Sequence, residues 1–420
     1  MKIVDHLPIV RGAPTSASPA RVTAILNDVR DRGDSALRDW SEQLDRGVAP
    51  AWTVPQDVLE RAWLDLPQAD QAAIDHAARN IRTFADAQKR SLQPMEIEIE
   101  PGVFAGQRIV PVDRVACYVP GGRYPLPSTL LMTVIPALAA GVQHVVVLTP
   151  PKPNAWPDQH ILAAAFRAGV TAVHPIGGAQ GIAAAAFGTE SIAAVDLIVG
   201  PGNAWVTEAK RQVYGIVGID SLAGPSEVMV LCDATSDAAT VAADLLAQAE
   251  HDPDAAAVLV SADRALLEAV AGDLQTRTAA SPRRAILEQS LATYGRLVRA
   301  DRELAIALAQ AWAPEHLELC VSDPDNWLPG LTNAGAVFVG SASAEAFGDY
   351  GAGPNHVLPT NRSARYTSPL GVATFLKRQS LLRLSSADAA AMAPWVERLA
   401  EAEGLTHHGR SAALRAIHHP

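Results

Sequence analysis

The chain has 420 residues, 49% of them hydrophobic and 19% charged, enough apolar material for a large buried core and more than one domain. A net charge of −11 and a pI near 5.5 exclude the clustered Lys and Arg with which proteins grip nucleic acid or an anionic membrane. Three cysteines, Cys117, Cys232 and Cys320, stand far apart with no Cys-x-x-Cys, which excludes a disulfide framework and a thiolate zinc site and fits a reducing cytoplasm.

The first residues, Met1 to His6, carry an acid and no apolar run behind it, unlike a secretion signal. Ser18 as N-cap, Pro19 at the first helical position and Val22, Ile25, Leu26 and Val29 at helical spacing predict a helix that Gly33 ends. Ser35 is then expected to cap a second helix, running to about Leu44. Another helix is expected from about Ala69 to Arg90 on Ala73, Ile74, Ala77, Ile81 and Phe84. The period then changes to two: Met95, Ile97 and Ile99 alternate with glutamates before Pro101-Gly102, and Val103 to Val110 follows, a β-hairpin pattern.

From Tyr124 to Pro151 there is no charged residue. Pro125, Pro127, Pro136 and Gly141 divide the stretch into a loop, a short helix and a strand, so it reads as a buried helix-strand unit and not a membrane span. Between Val115 and Val260 short Val/Ile runs alternate with Ala-rich helices. The expected strands are His144–Leu148, Ala172–Ile176, Ala194–Val199, Glu227–Leu231 and Ala256–Val260, spaced as in α/β folds with parallel sheets. In such sheets ligands sit at the carboxyl ends of strands, here Thr149-Pro150-Pro151, Gly177-Gly178-Ala179-Gln180 and Gly200-Pro201-Gly202-Asn203. The last is half a dinucleotide fingerprint: Trp205 replaces its third glycine, and Asp220 lies about where a ribose-binding acid is expected. It is either an ordinary glycine turn or a backbone loop close to a ligand.

Ala223-Gly224-Pro225-Ser226-Glu227 is a tight turn that hands Ser226 to a strand. Ser236 or Thr235 is expected to cap the next helix, from about Asp237 to Glu250, which places Gln248 and His251 one turn apart near its end. Alone they read as a core amide and a capping imidazole; with carboxylates from elsewhere they make half of a metal site. Pro314 stops a helix before Glu315-His316-Leu317-Glu318-Leu319-Cys320, a strand that opens on a carboxylate and an imidazole side by side. Both groups serve as general bases once burial tunes them. Beyond the strand Ala336–Val339, the Gly-rich stretch Phe347 to Pro359 holds Asp349, Asn355 and His356. A helical tail from about Ala387 to Ala413 contains Glu403, His407 and His408.

Taken in order, the motifs resemble the histidinol dehydrogenase family along nearly the whole chain. They are Tyr118-Val119-Pro120-Gly121-Gly122, Gly177-Gly178-Ala179-Gln180, Gly200-Pro201-Gly202-Asn203 with Thr207-Glu208-Ala209-Lys210-Arg211, Ala223 to Val228, Gln248-Ala249-Glu250-His251, Pro314 to Leu317, and Asn355 to Thr360. The resemblance implies an α/β fold of two incomplete Rossmann-like parallel-sheet domains with small helical N- and C-terminal parts forming a dimer arm. Its divisions are 16–117 with 227–370 (zinc ligands and acid/base pair), 118–226 (NAD side), 1–15 with 371–392 (small helical domain) and 393–420 (an arm reaching the partner subunit).

The same resemblance implies a homodimer with one zinc ion per subunit on Gln248, His251, Asp349 and His408, the last from the partner chain. Glu315 and His316 would be the catalytic pair. Ser226, Gln248, His251, His316, Asp349, His356, Glu403 and His408 would bind substrate; Tyr118, Gln180 and Asn203 would contact NAD. The implied reaction is the cytoplasmic four-electron oxidation of L-histidinol, through histidinal, to L-histidine, with two NAD⁺.

Three features depart from the family pattern: Arg123-Tyr124 after Gly122, Pro354 before Asn355, and His407 beside His408. Arg123-Tyr124 resembles paralogues that oxidise other zinc-held alcohols, such as sulfopropanediol dehydrogenase, since a guanidinium suits an anionic substrate. Two readings outside this class are a zinc hydrolase, which would leave Tyr118, Gln180 and Asn203 without a cofactor, and a non-catalytic protein that binds zinc and an amino alcohol.

Overall fold

The computed structural model describes residues 1, 3–7, 17–45, 47–121, 124–153 and 155–417. Two parallel sheets and one antiparallel sheet organise them. The chain starts with β1 (Ile3–Val4) and four helices, α1 (Pro19–Arg32), α2 (Asp34–Leu44), α3 (Gln56–Leu64) and α4 (Gln68–Ser91), before the hairpin β2 (Met95–Glu100) and β3 (Val103–Pro111).

A five-stranded parallel sheet follows, from β4 (Arg114–Tyr118), α5 (Pro127–Ala140), β5 (His144–Thr149), α6 (Gln159–Ala168), β6 (Ala172–Pro175), α7 (Gly178–Phe187), β7 (Leu197–Val199), α8 (Ala204–Val213) and β8 (Gly218–Ile219). Its order is β6-β5-β4-β7-β8. Because side chains alternate along a strand, Val115 and Cys117 of β4 enter the core under α4, α5 and α6, while Ala116 and Tyr118 enter the one under α1, α7 and α8. Burial on both faces is why these strands read as continuous apolar runs.

The six-stranded sheet is built from β9 (Glu227–Cys232), α9 (Ala238–Ala249), β10 (Ala256–Ser261), α10 (Arg264–Ala280), α11 (Arg284–Thr293), β11 (Arg296–Arg299), α12 (Arg302–Trp312), β12 (His316–Cys320) and β13 (Ala336–Val339). Its order is β1-β11-β10-β9-β12-β13, all parallel, with His316 in register with Val228 and Ala336. The short α13 (Glu345–Asp349) follows β13. After a loop the chain forms β14 (Leu376–Leu384), then α14 (Ser386–Ala402) and α15 (Thr406–Ile417).

The expected hairpin is present, and β14 adds a third antiparallel strand on β3. Four local expectations are corrected. Gly33, not Ser35, is the N-cap of α2, and the Asp34 N–H is satisfied from outside by Glu190 Oε2 at 2.8 Å. Asp237, rather than Ser236 or Thr235, caps α9 through Thr240 N at 2.8 Å; the Ser236 hydroxyl instead donates to Cys320 O. The strand expected from Ala194 is confined to Leu197–Val199. The helical tail is two helices, because Gly404 turns with φ +73°. Among the described residues no helix is long and apolar enough to cross a membrane. The uncharged stretch after Tyr124 yields a buried 14-residue helix, α5.

Candidate active site

The linker from Ile219 to Glu227 leads from the carboxyl end of β8 to the amino end of β9, and the acid/base pair and candidate metal ligands gather at the amino end of the six-stranded sheet. At the end of α12, Ala313 adopts φ +49° and passes the chain to Pro314. A left-handed alanine costs about 1 kcal/mol or more. It aims Glu315 and His316, both buried, at the start of β12.

Glu315 Oε2 accepts the Glu227 N–H at 2.9 Å, and the Glu315 carboxyl group also has a side-chain hydrogen bond with Ser226. His316 Nδ1 lies 3.3 Å from Glu227 O and 3.7 Å from both Glu315 Oε2 and Glu345 Oε1. Its Nε2 has no hydrogen-bond partner and lies 3.8 Å from Asp349 Oδ1. With Nδ1–H donating to the Glu227 carbonyl, Nε2 is a neutral acceptor facing the cluster.

His251, just beyond α9, places Nε2 3.9 Å from Asp349 Oδ2. One donor atom each from His251, Glu345 and Asp349 falls within 4.8 Å of the others. Gln248 is fully buried beside them; with its amide turned to satisfy both neighbours, it donates to Glu345 Oε1 at 2.7 Å and accepts from Glu227 N at 3.2 Å. Glu345, which the sequence reasoning did not single out, thus joins two of the expected ligands. The signal was available: Glu345 and Asp349 are four apart on one helical turn.

Several buried acids gather here whose charged forms oppose one another. Burial, and then the charge of Glu227, hold Glu315 well above the carboxylate range. Burial and neighbouring acids, Asp349 first, do the same to Glu345, and burial pushes Asp349 up to about 7. Burial lowers His316 to about 3 and His356 to about 4 and also depresses His251. Imidazole nitrogens and hard carboxylate oxygens converging in this way are a donor set suited to Zn²⁺, and a divalent ion would return the acids to their ionised form.

Residues of α5 and Tyr124 just before it contact the surroundings of this cluster. His356 Nδ1 is 2.9 Å from Asp349 O and its Nε2 is 3.0 Å from Thr129 Oγ1 on α5. Asn355 Nδ2 donates to Met132 O at 2.6 Å. Tyr124 OH donates to His251 O at 3.2 Å, while the Arg283 guanidinium lies 5.3 Å over the Tyr124 ring. Arg123 and Gly122 lie outside the described residues.

The three positions matched to NAD lie at the carboxyl ends of the five-stranded sheet. Tyr118 OH accepts from Gly178 N at 3.1 Å. Gln180 is fully buried and its Nε2 donates to Asp45 Oδ2 at 3.0 Å. Asn203 is exposed, with Oδ1 capping α8 through Trp205 N and Val206 N at 3.0 and 3.1 Å. Asp220 is not a free ribose acid. Its carboxylate is ion-paired with buried Lys210 and accepts the N–H groups of Gly200 and Ser221 at 2.7 and 2.6 Å.

Glu403, His407 and His408 are exposed on the α14–α15 pair, and among the described residues no hydrogen bond or ion pair joins their side chains to the cluster. A cavity of about 760 Å³ runs between α4, the 354–358 segment and the 366–374 loop. Asp220 and Asn355 line it, but none of the residues matched to catalysis, zinc, substrate or NAD does.

The fold and the cluster define an α/β enzyme with paired bases next to a candidate metal centre. The family model described as histidinol dehydrogenase matches residues 12–416. The histidinol dehydrogenase of Chromobacterium violaceum is 45% identical over 407 residues, covering 96% of this chain and 93% of its own length. That of Pseudomonas aeruginosa is 44% identical over 419 residues, covering 99% and 94%. The crystal structure of histidinol dehydrogenase from Elizabethkingia anophelis superposes with a TM-score of 0.93 at 34% identity, covering 99% and 98% of the two chains. The chain belongs to the histidinol dehydrogenase family, and it is an enzyme, an oxidoreductase of that type.

Proposed function

We propose that this enzyme oxidises L-histidinol, through histidinal, to L-histidine in the cytoplasm, using NAD⁺ and zinc as a homodimer with shared sites. The observation that carries the reading is the buried Glu315–His316 pair whose free Nε2 faces Asp349 and, beyond it, His251. The proposed domain divisions are 16–117 with 227–370 and 118–226. The break at Ser226–Glu227 separates β8 from β9 and so the two parallel sheets, whereas β4 (Arg114–Tyr118) is the central strand of the five-stranded sheet and puts the other break before Arg114. The exposed α14–α15 pair, as residues 393–420, would be the arm that carries His408 to the partner.

Zinc would be held by Gln248, His251, Asp349 and the partner's His408, with Glu345 beside them; it supplies a Lewis acid that anchors an amino alcohol's nitrogens. NAD⁺, on the side of Tyr118, Gln180 and Asn203, supplies the hydride acceptor. His316 Nε2 takes the alcohol proton, which its neutral, partner-free state allows. In hydration of the aldehyde, Glu315 takes a proton from the attacking water while protonated His316 returns its proton to the carbonyl oxygen. Neutral His316 then accepts a hydroxyl proton of the hydrate as the second hydride leaves, and Glu315 releases its proton to solvent. Ser226 and the Glu227 N–H keep the Glu315 carboxylate turned toward that water.

The test is the count of NADH formed per L-histidinol consumed by zinc-loaded protein. Two equivalents are expected. No turnover of histidinol with zinc and NAD⁺ both bound would overturn the substrate assignment and direct the search to anionic diols.

A further inference from the structure

A second constellation lies away from the acid/base cluster, at the carboxyl end of β7. Gly200 ends that strand with φ +107°, and a Cβ there would lie 2.2 Å from Tyr118 O, so only glycine fits. Both hydrogen-bonding groups of Gly200 are taken by side chains. Asp220 Oδ2 accepts its N–H at 2.7 Å, and Lys210 Nζ donates to its carbonyl at 3.0 Å. Lys210 and Asp220 are ion-paired to each other and almost completely buried.

A buried ion pair is not an efficient source of stability, because desolvating both charges cancels most of their attraction. What this pair does accomplish is geometric. It holds one peptide from both sides, and so sets the loop Gly200-Pro201-Gly202-Asn203 between β7 and α8. At the loop's end Asn203 has its oxygen committed to capping α8, which leaves its amide N–H₂ as the only part available to a ligand. A donor held in this way selects an acceptor, a hydroxyl or phosphate oxygen of a dinucleotide.

We propose that Lys210 and Asp220 are positioning residues for the cofactor: their buried ion pair fixes the Gly200 loop so that Asn203 meets the dinucleotide as a preset donor. This rests on the NAD⁺ dependence proposed above. The pair touches no reacting atom, and its effect is on cofactor affinity rather than on the oxidation itself.

The experiment compares zinc-loaded wild type with the double variant Lys210→Met/Asp220→Asn, which removes both charges together while leaving an oxygen for the Gly200 N–H. NADH binding is read by protein fluorescence, and KM is read separately for NAD⁺ and L-histidinol. The expected result is a rise of about tenfold in the NADH dissociation constant and in KM for NAD⁺, with KM for L-histidinol within about twofold of wild type. Unchanged NADH affinity, or an equal rise in both KM values, overturns the proposal. Wild-type protein that binds no NADH overturns the cofactor reading and this proposal with it, whereas a normal wild type with an indifferent variant overturns the clamp alone. Should the variant fail to fold, amide exchange in the cofactor-free wild type decides: the Gly200 N–H is expected to exchange as slowly as β7, and fast exchange there overturns the proposal.

Discussion

Glu318 Oε1 accepts the backbone N–H of Glu345 at 2.8 Å, and through that bond β12 fixes the start of the helix that carries Glu345 and Asp349. Burial and the nearby Asp244 push Glu318 up to about 8, and burial pushes Asp244 to about 6, so the two carboxyls resist ionising together behind the site. Glu318→Ala leaves the Glu345 N–H unpaired in the interior, which costs about 1–3 kcal/mol. It also loosens both candidate ligands, and zinc affinity is expected to fall by about 10- to 100-fold. Glu318→Gln keeps the acceptor and can still donate to Asp244, so its zinc affinity should stay near wild type. Competitive zinc titration of the two variants checks this, and equal loss in both would refute the positioning argument.

The two proposed bases separate kinetically. Glu315→Gln retains an oxygen for the Glu227 N–H and should fold, but it cannot activate water; the aldehyde step is expected to slow by about 10²–10⁴-fold while the alcohol step changes less. His316→Asn should slow both steps. Single-turnover NADH formation from L-histidinol and from histidinal separates them. Equal losses on both substrates for Glu315→Gln would mean that the two bases do not divide the work.

Away from the site, His174 gives the fold a pH dependence of known sign. Its Nδ1 is 2.7 Å from Trp52 O, and burial holds its pKa below the ordinary histidine value of 6.5, with the Trp52 bond opposing the shift in part. Below pH 6.5 the unfolded chain therefore binds more proton than the folded one. The His174 contribution is present in full above that pH and is lost as pH falls through the depressed folded value. The slope is at most about 1.4 kcal/mol per pH unit. His174→Gln can still donate to Trp52 O and should flatten the fall in thermal stability on acidification below pH 6.5; an unchanged profile would show that other groups dominate.

How much of this was legible in the sequence depended on whether a signal was local. The Val/Ile runs from β5 to β10 stood out because both faces of each strand are buried, and Glu315-His316 stood out because Pro314 marks the strand entrance. Nothing local shows that β7 and β9 belong to different sheets: an apolar run records burial, not its neighbours. Glu345 had one local signal, its four-residue spacing to Asp349, but the partners that give that spacing meaning, Gln248 and His316, come from α9 and β12. Asp220 sat at the spacing of a ribose acid, yet Lys210, one helix away, claims it. Asp237 outcompeted Ser236 and Thr235 as a cap because all three are chemically able, and the actual helix start decides which oxygen reaches the Thr240 N–H. At β14, long polar side chains interrupt the apolar residues, and pairing with β3 overrides that weak pattern.

The proposed arm makes the sharpest prediction about assembly. Trp395 and Leu399 on α14, Leu405 in the turn and Leu414 on α15 remain 43–56% exposed, an apolar surface suited to a second copy of the chain. If His408 completes the partner's centre, His408→Ala and His251→Ala homodimers should each be inactive. In a mixed dimer, however, the His408→Ala subunit keeps its own His251 and receives an intact His408 from its partner, so one of the two sites is whole. Random reassembly makes half of the dimers mixed, and activity should return to about a quarter of wild type. No recovery, with mixed dimers demonstrated by differential tagging, would place His408 in its own chain's site, and an active His408→Ala homodimer would place it outside the chemistry altogether.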